Sequence, residues 1–308
     1  MKIAICAALY EAGRPFLAEF VHAMQAAVTH GEAAAHDIFF VAAIDGLDNA
    51  NEALADLAGH VDIVSVDVAA GRTPAGVRGA MLTTGQLSGT DILIFIDMDD
   101  LIAPQAIARH LEALREADFS YGDLDLVDAS GRQLGRRFFD KASVPDAVDD
   151  VLSIRDRNFL GFSNTAVRTH RISPVALMVP ESIVAADWWF FTMLLLGGLR
   201  GKKTTGPVAA YRLHDANILG AGAPRTVAQA IAQIEAMLLH YRAFSAYPAL
   251  AERIDDTEHV LRALQMSSAH QIGAHLETSD DVEGTWFEGL DRIAENLRTE
   301  PLASAAAQ

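Results

Sequence analysis

The sequence predicts an α/β fold, with a mostly parallel sheet flanked by helices and a helical region after it. Three observations carry this expectation. Short apolar runs alternate with helical repeats through the first half of the chain, the rhythm of parallel strands joined by helical crossovers. One of these runs, Asp91-Ile-Leu-Ile-Phe-Ile-Asp-Met-Asp-Asp-Leu101, ends in three closely spaced carboxylates. After about residue 220 the strand signals give way to long helical patterns.

The elements follow in order. Residues 3–9 read as a strand. Pro15 then opens a helix with Phe16, Phe20, Val21, Met24 and Val28 on its apolar face and Gly31 as its stop. Residues 37–44 form a second strand, closed by Asp45-Gly46, and residues 61–68 alternate as a third. Residues 71–79 read as a Gly- and Pro-containing loop before a helix over about 80–87. The run 92–96 is too short for a helix and rich in β-branched and aromatic side chains, so it is a buried strand. Pro104 starts a helix that buries Ile107, Leu111 and Leu114. From Phe119 a strand runs to a turn at Ser130-Gly131, and residues 140–158 are polar and irregular. A very apolar helix over 181–197 and a strand over 207–213 come next. Helices over 227–244 and 248–276 follow, and the Ala-rich end from Leu302 frays. The stretch 220–224 marks a boundary or a mobile lid between a domain of residues 1–220 and a helical region of residues 221–308.

Composition narrows the function. The chain has 308 residues, 51% of them apolar, enough for a sizeable core. Its net charge of -17 argues against broad nucleic-acid binding, which needs a basic surface. No apolar run approaches the roughly 18 residues of a membrane span. Met1-Lys-Ile-Ala-Ile-Cys lacks the long apolar region of a secretion signal and reads as the first strand. Cys6 is the only cysteine, which excludes disulfides within the chain and fits a reducing cytoplasm.

Five constellations can carry chemistry. Asp97-Met-Asp99-Asp100 packs carboxylates onto the end of a buried strand, where they repel unless a cation neutralises them. Oxygen-rich sites favour Mg2+ or Mn2+, and ligands of open α/β sheets sit at the carboxyl ends of strands. The plain alternative is a solvated acidic turn. Asp45-Gly46-Leu-Asp48 is either an ordinary turn or an acceptor for a nucleobase or ribose. Gly71-Arg-Thr-Pro-Ala-Gly-Val-Arg78 is either a surface loop or a source of arginines for a diphosphate or for the acidic cluster. Asp187 in Ala185-Ala-Asp-Trp188-Trp189 is either a helix cap before core aromatics or a desolvated general base beside rings on which a sugar stacks. In Tyr211-Arg-Leu-His214-Asp-Ala-Asn217, His214 can supply a nitrogen to the metal and Arg212 can meet a phosphate, though a lone His is more often structural. P-loop, dinucleotide and serine-hydrolase fingerprints are absent; Gly161-Phe-Ser163-Asn164 has no second glycine.

In this order the five pieces, with Tyr121-Gly-Asp123 between them, resemble the GT-A-fold glycosyltransferases of family two over about residues 1–220. The resemblance implies a GT-A fold, Rossmann-like, and an inverting, metal-dependent enzyme using a nucleotide-diphospho-sugar donor. By the same resemblance Asp45 binds the base, Arg78 the nucleotide or the acidic cluster, and Asp97 the ribose. Asp99 holds Mn2+ or Mg2+ with His214, and Asp187 is the catalytic base. The acceptor is a hydroxyl on a glycan, a lipid-linked molecule or a protein, in keeping with polysaccharide biosynthesis. The segment 220–224, with Arg225, would close over the donor. Two departures stand out: Ala186 replaces the acid of an expected Glu-Asp pair, and Ile44-Asp45-Gly46-Leu47-Asp48 replaces the usual Asp-Asp-Gly-Ser.

Two rivals remain. Phe95-Ile-Asp97-Met-Asp99-Asp100-Leu101 also looks like the nucleophile strand of haloacid-dehalogenase-like phosphatases, with Asp97 phosphorylated and Asp99 as acid/base. That motif usually lies near the start of a chain, and Leu101 stands where Thr or Val is usual. A non-catalytic nucleotide-sugar-binding protein on the same fold is the third reading. The expected location is the cytoplasm. Arg132, Arg136, Arg137 and Lys141, or Arg200, Lys202 and Lys203, are candidates for peripheral contact with a membrane surface, against the plainer reading of solvated loops.

Overall fold

Strand β1 (Lys2–Tyr10) is buried from Ile3 to Leu9 and lies inside the sheet, hydrogen-bonded on both sides. A strand covered on both faces needs a continuous apolar run rather than an alternating one, and the sequence supplies it. The computed structural model describes residues 1–69, 71–140, 144–214 and 227–266. The segment 220–224 with its boundary, Arg225, Asn217, Lys141, the helix beyond Met266 and the Ala-rich end lie outside the described residues.

After a 3-10 turn over Glu11–Phe16, α1 (Leu17–Thr29) buries Phe20, Val21, Met24 and Val28. Strand β2 (Asp37–Asp45) returns parallel to β1, pairing Tyr10 with Asp45. Two single turns, α2 (Ala50–Ala53) and α3 (Ala55–Ala58), lead to the edge strand β3 (Asp62–Asp67), parallel to β2. Helix α4 (Pro74–Leu87) follows, and β4 (Ile92–Phe95) runs parallel to β1 on its other side. The helix expected over 80–87 therefore begins six residues earlier. Thr73 caps it, accepting from the Gly76 N–H at 3.3 Å, and Pro74 takes the first-turn place where a missing N–H does no harm. Arg78 consequently sits on a helix, not on a loop.

The two-residue strand β5 (Leu101–Ile102) comes next, then α5 (Ala106–Ala113), β6 (Phe119–Val127) and β7 (Gln133–Arg137). Within the segment expected to be irregular lie the short β8 (Ala147–Val148) and α6 (Leu152–Arg155). Strand β9 (Thr165–Arg168) is absent from the sequence reading. It runs antiparallel between β4 and β6, so the residues just before it emerge where β4 ends. Helix α7 (Ala186–Leu196) begins later than expected, and β10 (Gly201–Arg212) is longer than expected, parallel to β6 and antiparallel to β5. The sheet order is β3-β2-β1-β4-β9-β6-β10-β5, with β7 and β8 off this path.

Helix α7 is apolar all round because both its sides are covered. Phe190 and Phe191 pack on Phe95 and Phe119 of the sheet. On the other side lies α8 (Val227–Ala243), on which α9 (Pro248–Met266) packs. Trp188 stacks on His240 at 3.8 Å and donates Nε1–H to the Ile154 carbonyl at 2.9 Å, while Trp189 packs on Phe244. Each such ring contributes roughly 1.5–3 kcal/mol by burial. Both tryptophans are thus core residues, which corrects the expectation that they offer a face to a sugar. Among the described residues, no helix is long and apolar enough to cross a membrane.

Candidate active site

The parallel strands β1, β2 and β4 deliver Tyr10, Asp45 and Asp97 to one edge of the sheet, the carboxyl edge where such folds bind ligands. A cavity of about 540 Å³ opens there. Its walls include Asp45, Arg78, Asp97, Asp99, Asp100, Asp187 and His214. Six of the seven site residues expected from the sequence therefore face one space.

Local geometry sets the acidic turn. The Asp100 N–H bonds back to the Asp97 carbonyl at 3.0 Å, and the Ser163 hydroxyl accepts from the Asp97 N–H at 3.2 Å. Strand β10 runs antiparallel to β5 with Ala210 opposite Leu101, so its continuation carries Arg212 and His214 back along Asp100 and Asp99. The His214 Nε2 lies 3.0 Å from Asp99 Oδ2, and the His214 ring packs on Phe16.

Arg212 does not line the cavity, which revises the expectation of a phosphate contact. Its side chain is 1% exposed and fully engaged. The backbone N–H donates to Asp100 Oδ1 at 2.8 Å, Nε–H to the Asp99 carbonyl at 2.8 Å, and Nη1–H to the Ala129 carbonyl at 3.1 Å. Nη2–H reaches Glu19 Oε2 at 2.5 Å, and the guanidinium lies over the Phe16 ring. Arg212 is a clamp that fixes the acidic turn against α1 and the β6–β7 turn.

The carboxylates of Asp97, Asp99 and Asp100 offer oxygens within 4.8 Å of one another. Asp100 Oδ2 is buried and has no hydrogen-bond partner among the described residues. Burial, then Asp99 and Asp97, raise the Asp100 carboxyl well above its ordinary value; burial also raises Asp97, against the opposing Arg78. An orphaned oxygen among mutually repelling hard donors fits a divalent cation. Arg78 is ion-paired to Asp97, and its guanidinium lies over Phe162. Its other partner among the described residues is the Met81 sulfur at a distant 4.0 Å, leaving donors for an anionic ligand.

Asp187 sits in the first turn of α7, its Oδ1 accepting the Trp188 N–H at 2.7 Å. Burial pushes its carboxyl up to about 7, against that hydrogen bond, and the negative Asp97 adds to the rise. A carboxyl tuned near neutrality is suited to taking a proton.

Several contributors escaped the sequence reading: Tyr10, Phe16, Glu19, Asn158, Phe162 and the hydroxyl of Ser163. Tyr10 ends a recognised strand, and that position was an available signal. The others act through contacts across the fold and leave no mark in local spacing. The basic residues singled out for a membrane surface are largely paired instead: Arg132 with Asp128, Arg137 with Asp125, Arg200 with Asp149 and Lys202 with Glu116.

An open, mostly parallel sheet with an acidic turn beyond the end of an inner strand is the architecture of GT-A-type glycosyltransferases, and solved structures bear this out. The chain is similar to S. aureus TarS 1-349 in complex with UDP-GlcNAc, with a TM-score of 0.59 and 15% identity over 91% of this chain and 77% of that one. It is similar to the mannosyltransferase PcManGT from Pyrobaculum calidifontis in complex with GDP-Man and Mn2+, with a TM-score of 0.53 and 16% identity over 96% of this chain and 78% of that one. No protein-family model and no curated protein matches the chain. At these identities the likeness establishes the fold.

Proposed function

We propose that the protein is a glycosyltransferase that moves a sugar from a nucleotide-diphospho-sugar to an acceptor hydroxyl with inversion at the anomeric carbon. The observation that carries this reading is the shared cavity, which joins the acidic turn, His214, Arg78 and Asp187. The shared fold with proteins solved with UDP-GlcNAc and with GDP-Man adds support.

Asp99, flanked by Asp97 and Asp100 and reached by His214, would hold Mn2+ or Mg2+. When bound, the cation neutralises charge on the departing nucleoside diphosphate. Arg78 donates to the same diphosphate, and Asp45 and Asp97 accept from the base and ribose. Asp187 takes the proton of the acceptor hydroxyl as that oxygen bonds to the anomeric carbon and the bond to the diphosphate breaks. Arg212 holds the turn and touches no substrate. The phosphatase reading fares worse: Asp97, its required nucleophile, is tied up in an ion pair with Arg78. The non-catalytic reading leaves unexplained why a carboxyl tuned to about 7 faces the cavity.

The test is turnover of UDP- and GDP-sugars with Mn2+, followed by NMR of the product's anomeric configuration. The expected result is nucleoside diphosphate release with inversion, lost in Asp187→Asn. A product of retained configuration, or parent-like turnover by the variant, contradicts the mechanism.

A further inference from the structure

Asn158 is 1% exposed and lines the cavity. Its Oδ1 accepts the Leu160 backbone N–H at 3.1 Å. A backbone N–H can only donate, so this bond fixes which end of the amide is oxygen and which is nitrogen. The Nδ2 hydrogens then have no acceptor among the described residues. Because the residue lines the cavity, this free donor is open to a ligand or water there.

The loop that carries Asn158 is tied down by hydrogen bonds. Asn164 accepts the Gly161 N–H at 2.8 Å and donates to the Gly122 and Phe159 carbonyls. The Thr165 hydroxyl donates to the Gly161 carbonyl at 2.6 Å. Just upstream, the Trp188 indole bonds to the Ile154 carbonyl, so the chain leading to Asn158 is pinned to the helix that bears Asp187. Because β9 runs antiparallel to β4, this loop stands at the end of the sheet where the acidic turn lies. The same cavity is lined by the acidic turn and Arg78 and by apolar side chains such as Phe162. A neutral amide donor among them is suited to an oxygen of a sugar ring or its substituent, where the charged groups are suited to the cation and the diphosphate.

We propose that Asn158 is a specificity-determining residue that donates a hydrogen bond to an oxygen of the transferred sugar, a ring hydroxyl or an acyl carbonyl. This deepens the glycosyltransferase reading and rests on it. The cation and Arg78 account for the nucleoside diphosphate, and Asn158 reads what is attached to it.

The test compares, by calorimetry with Mn2+, the affinity for UDP-GlcNAc against UDP and for GDP-Man against GDP. The variants are Asn158→Ala and Asn158→Asp; the second retains an oxygen for the Leu160 N–H, so the loop keeps its bond. The readout is the ratio of sugar-nucleotide to nucleoside-diphosphate affinity, read in Asn158→Ala, which adds no charge; Asn158→Asp, through melting temperature, checks that the loop folds as in the parent. For whichever pair the parent prefers, the ratio is expected to fall about five- to twentyfold in Asn158→Ala, the range of one hydrogen bond. An unchanged ratio in Asn158→Ala overturns this inference while leaving the donor site intact. A parent that binds neither sugar nucleotide nor nucleoside diphosphate contradicts the glycosyltransferase reading itself, and this inference with it.

Discussion

Asp187 shows how one side chain is set by its surroundings. Its carboxyl lies at about 7 when folded against an ordinary value of 3.8, so the folded form holds the proton more tightly than the unfolded chain does. The sign follows: the proton favours folding, and stability is lost as pH rises from about 4 through 7, where the unfolded chain has already ionised. Asp187→Asn removes that cost. The variant is expected to be more stable than the parent at pH 8 by about 1–3 kcal/mol, with the difference closing toward pH 4 in urea titrations. The same shift sets activity in the opposite direction. On the proposed role of Asp187 as base, turnover by the parent should fall as pH drops below about 7, because that carboxyl is protonated; Asp187→Asn should lower kcat about 10²–10⁴-fold at pH 8, with the gap narrowing as pH falls. A flat pH–rate profile between 5 and 8 would remove Asp187 from the role of base. Arg212 makes the contrasting case. Arg212→Met strands the Asp99 and Ala129 carbonyls and is expected to destabilise the fold by about 3 kcal/mol, which a shifted urea midpoint would show.

At the scale of elements, α4 carries Arg78 to the cavity and depends on its start. Thr73→Ala removes the side chain that accepts the Gly76 N–H and should cost about 1 kcal/mol in the denaturation midpoint. The Thr-Pro pair at the start of α4 was legible as a cap followed by a first-turn proline, but the glycines at 71 and 76 masked it. Gly71 does turn in the left-handed region, at φ 85°, whereas Gly76 lies inside the helix, where a Cβ would meet Arg72 and Glu181. The long parallel strands were legible because burial on both faces leaves an unbroken apolar run. Strand β9 was not. Thr165-Ala-Val-Arg168 is four residues without alternation, and its place between β4 and β6 is decided by pairing across the sheet. Strand β5 is shorter still, yet its register with β10 is what brings Arg212 and His214 to the acidic turn.

For the whole molecule, the sheet gathers stretches far apart in sequence at one edge. The candidate site was legible to the extent that its residues lie at strand ends, as Asp45 and Asp97 do. Spacing tells that Arg212 is near an acidic turn but not which way its guanidinium points, and it points away from the cavity into the clamp on Glu19 and Ala129. The partners of Arg137, Arg200 and Lys202 were similarly invisible, since Asp125, Asp149 and Glu116 meet them through folding, whereas Asp128, the partner of Arg132, lies four residues away in the same turn. Cation removal belongs to this scale, because an ion held as proposed by Asp99 and His214 would tie the acidic turn to β10. Mn2+ should raise the melting temperature of the parent by a few degrees at saturating concentration, and Asp99→Ala should abolish the shift.

The most direct test of the central claim, that the acidic turn holds a cation which in turn holds a nucleotide-diphospho-sugar, is a calorimetric titration of UDP-GlcNAc and GDP-Man into the parent and Asp99→Ala, with Mn2+ and with a chelator. The expected result is binding to the parent with Mn2+ only, and none to the variant in either condition. Equal binding with chelator, or parent-like binding by Asp99→Ala, would contradict it.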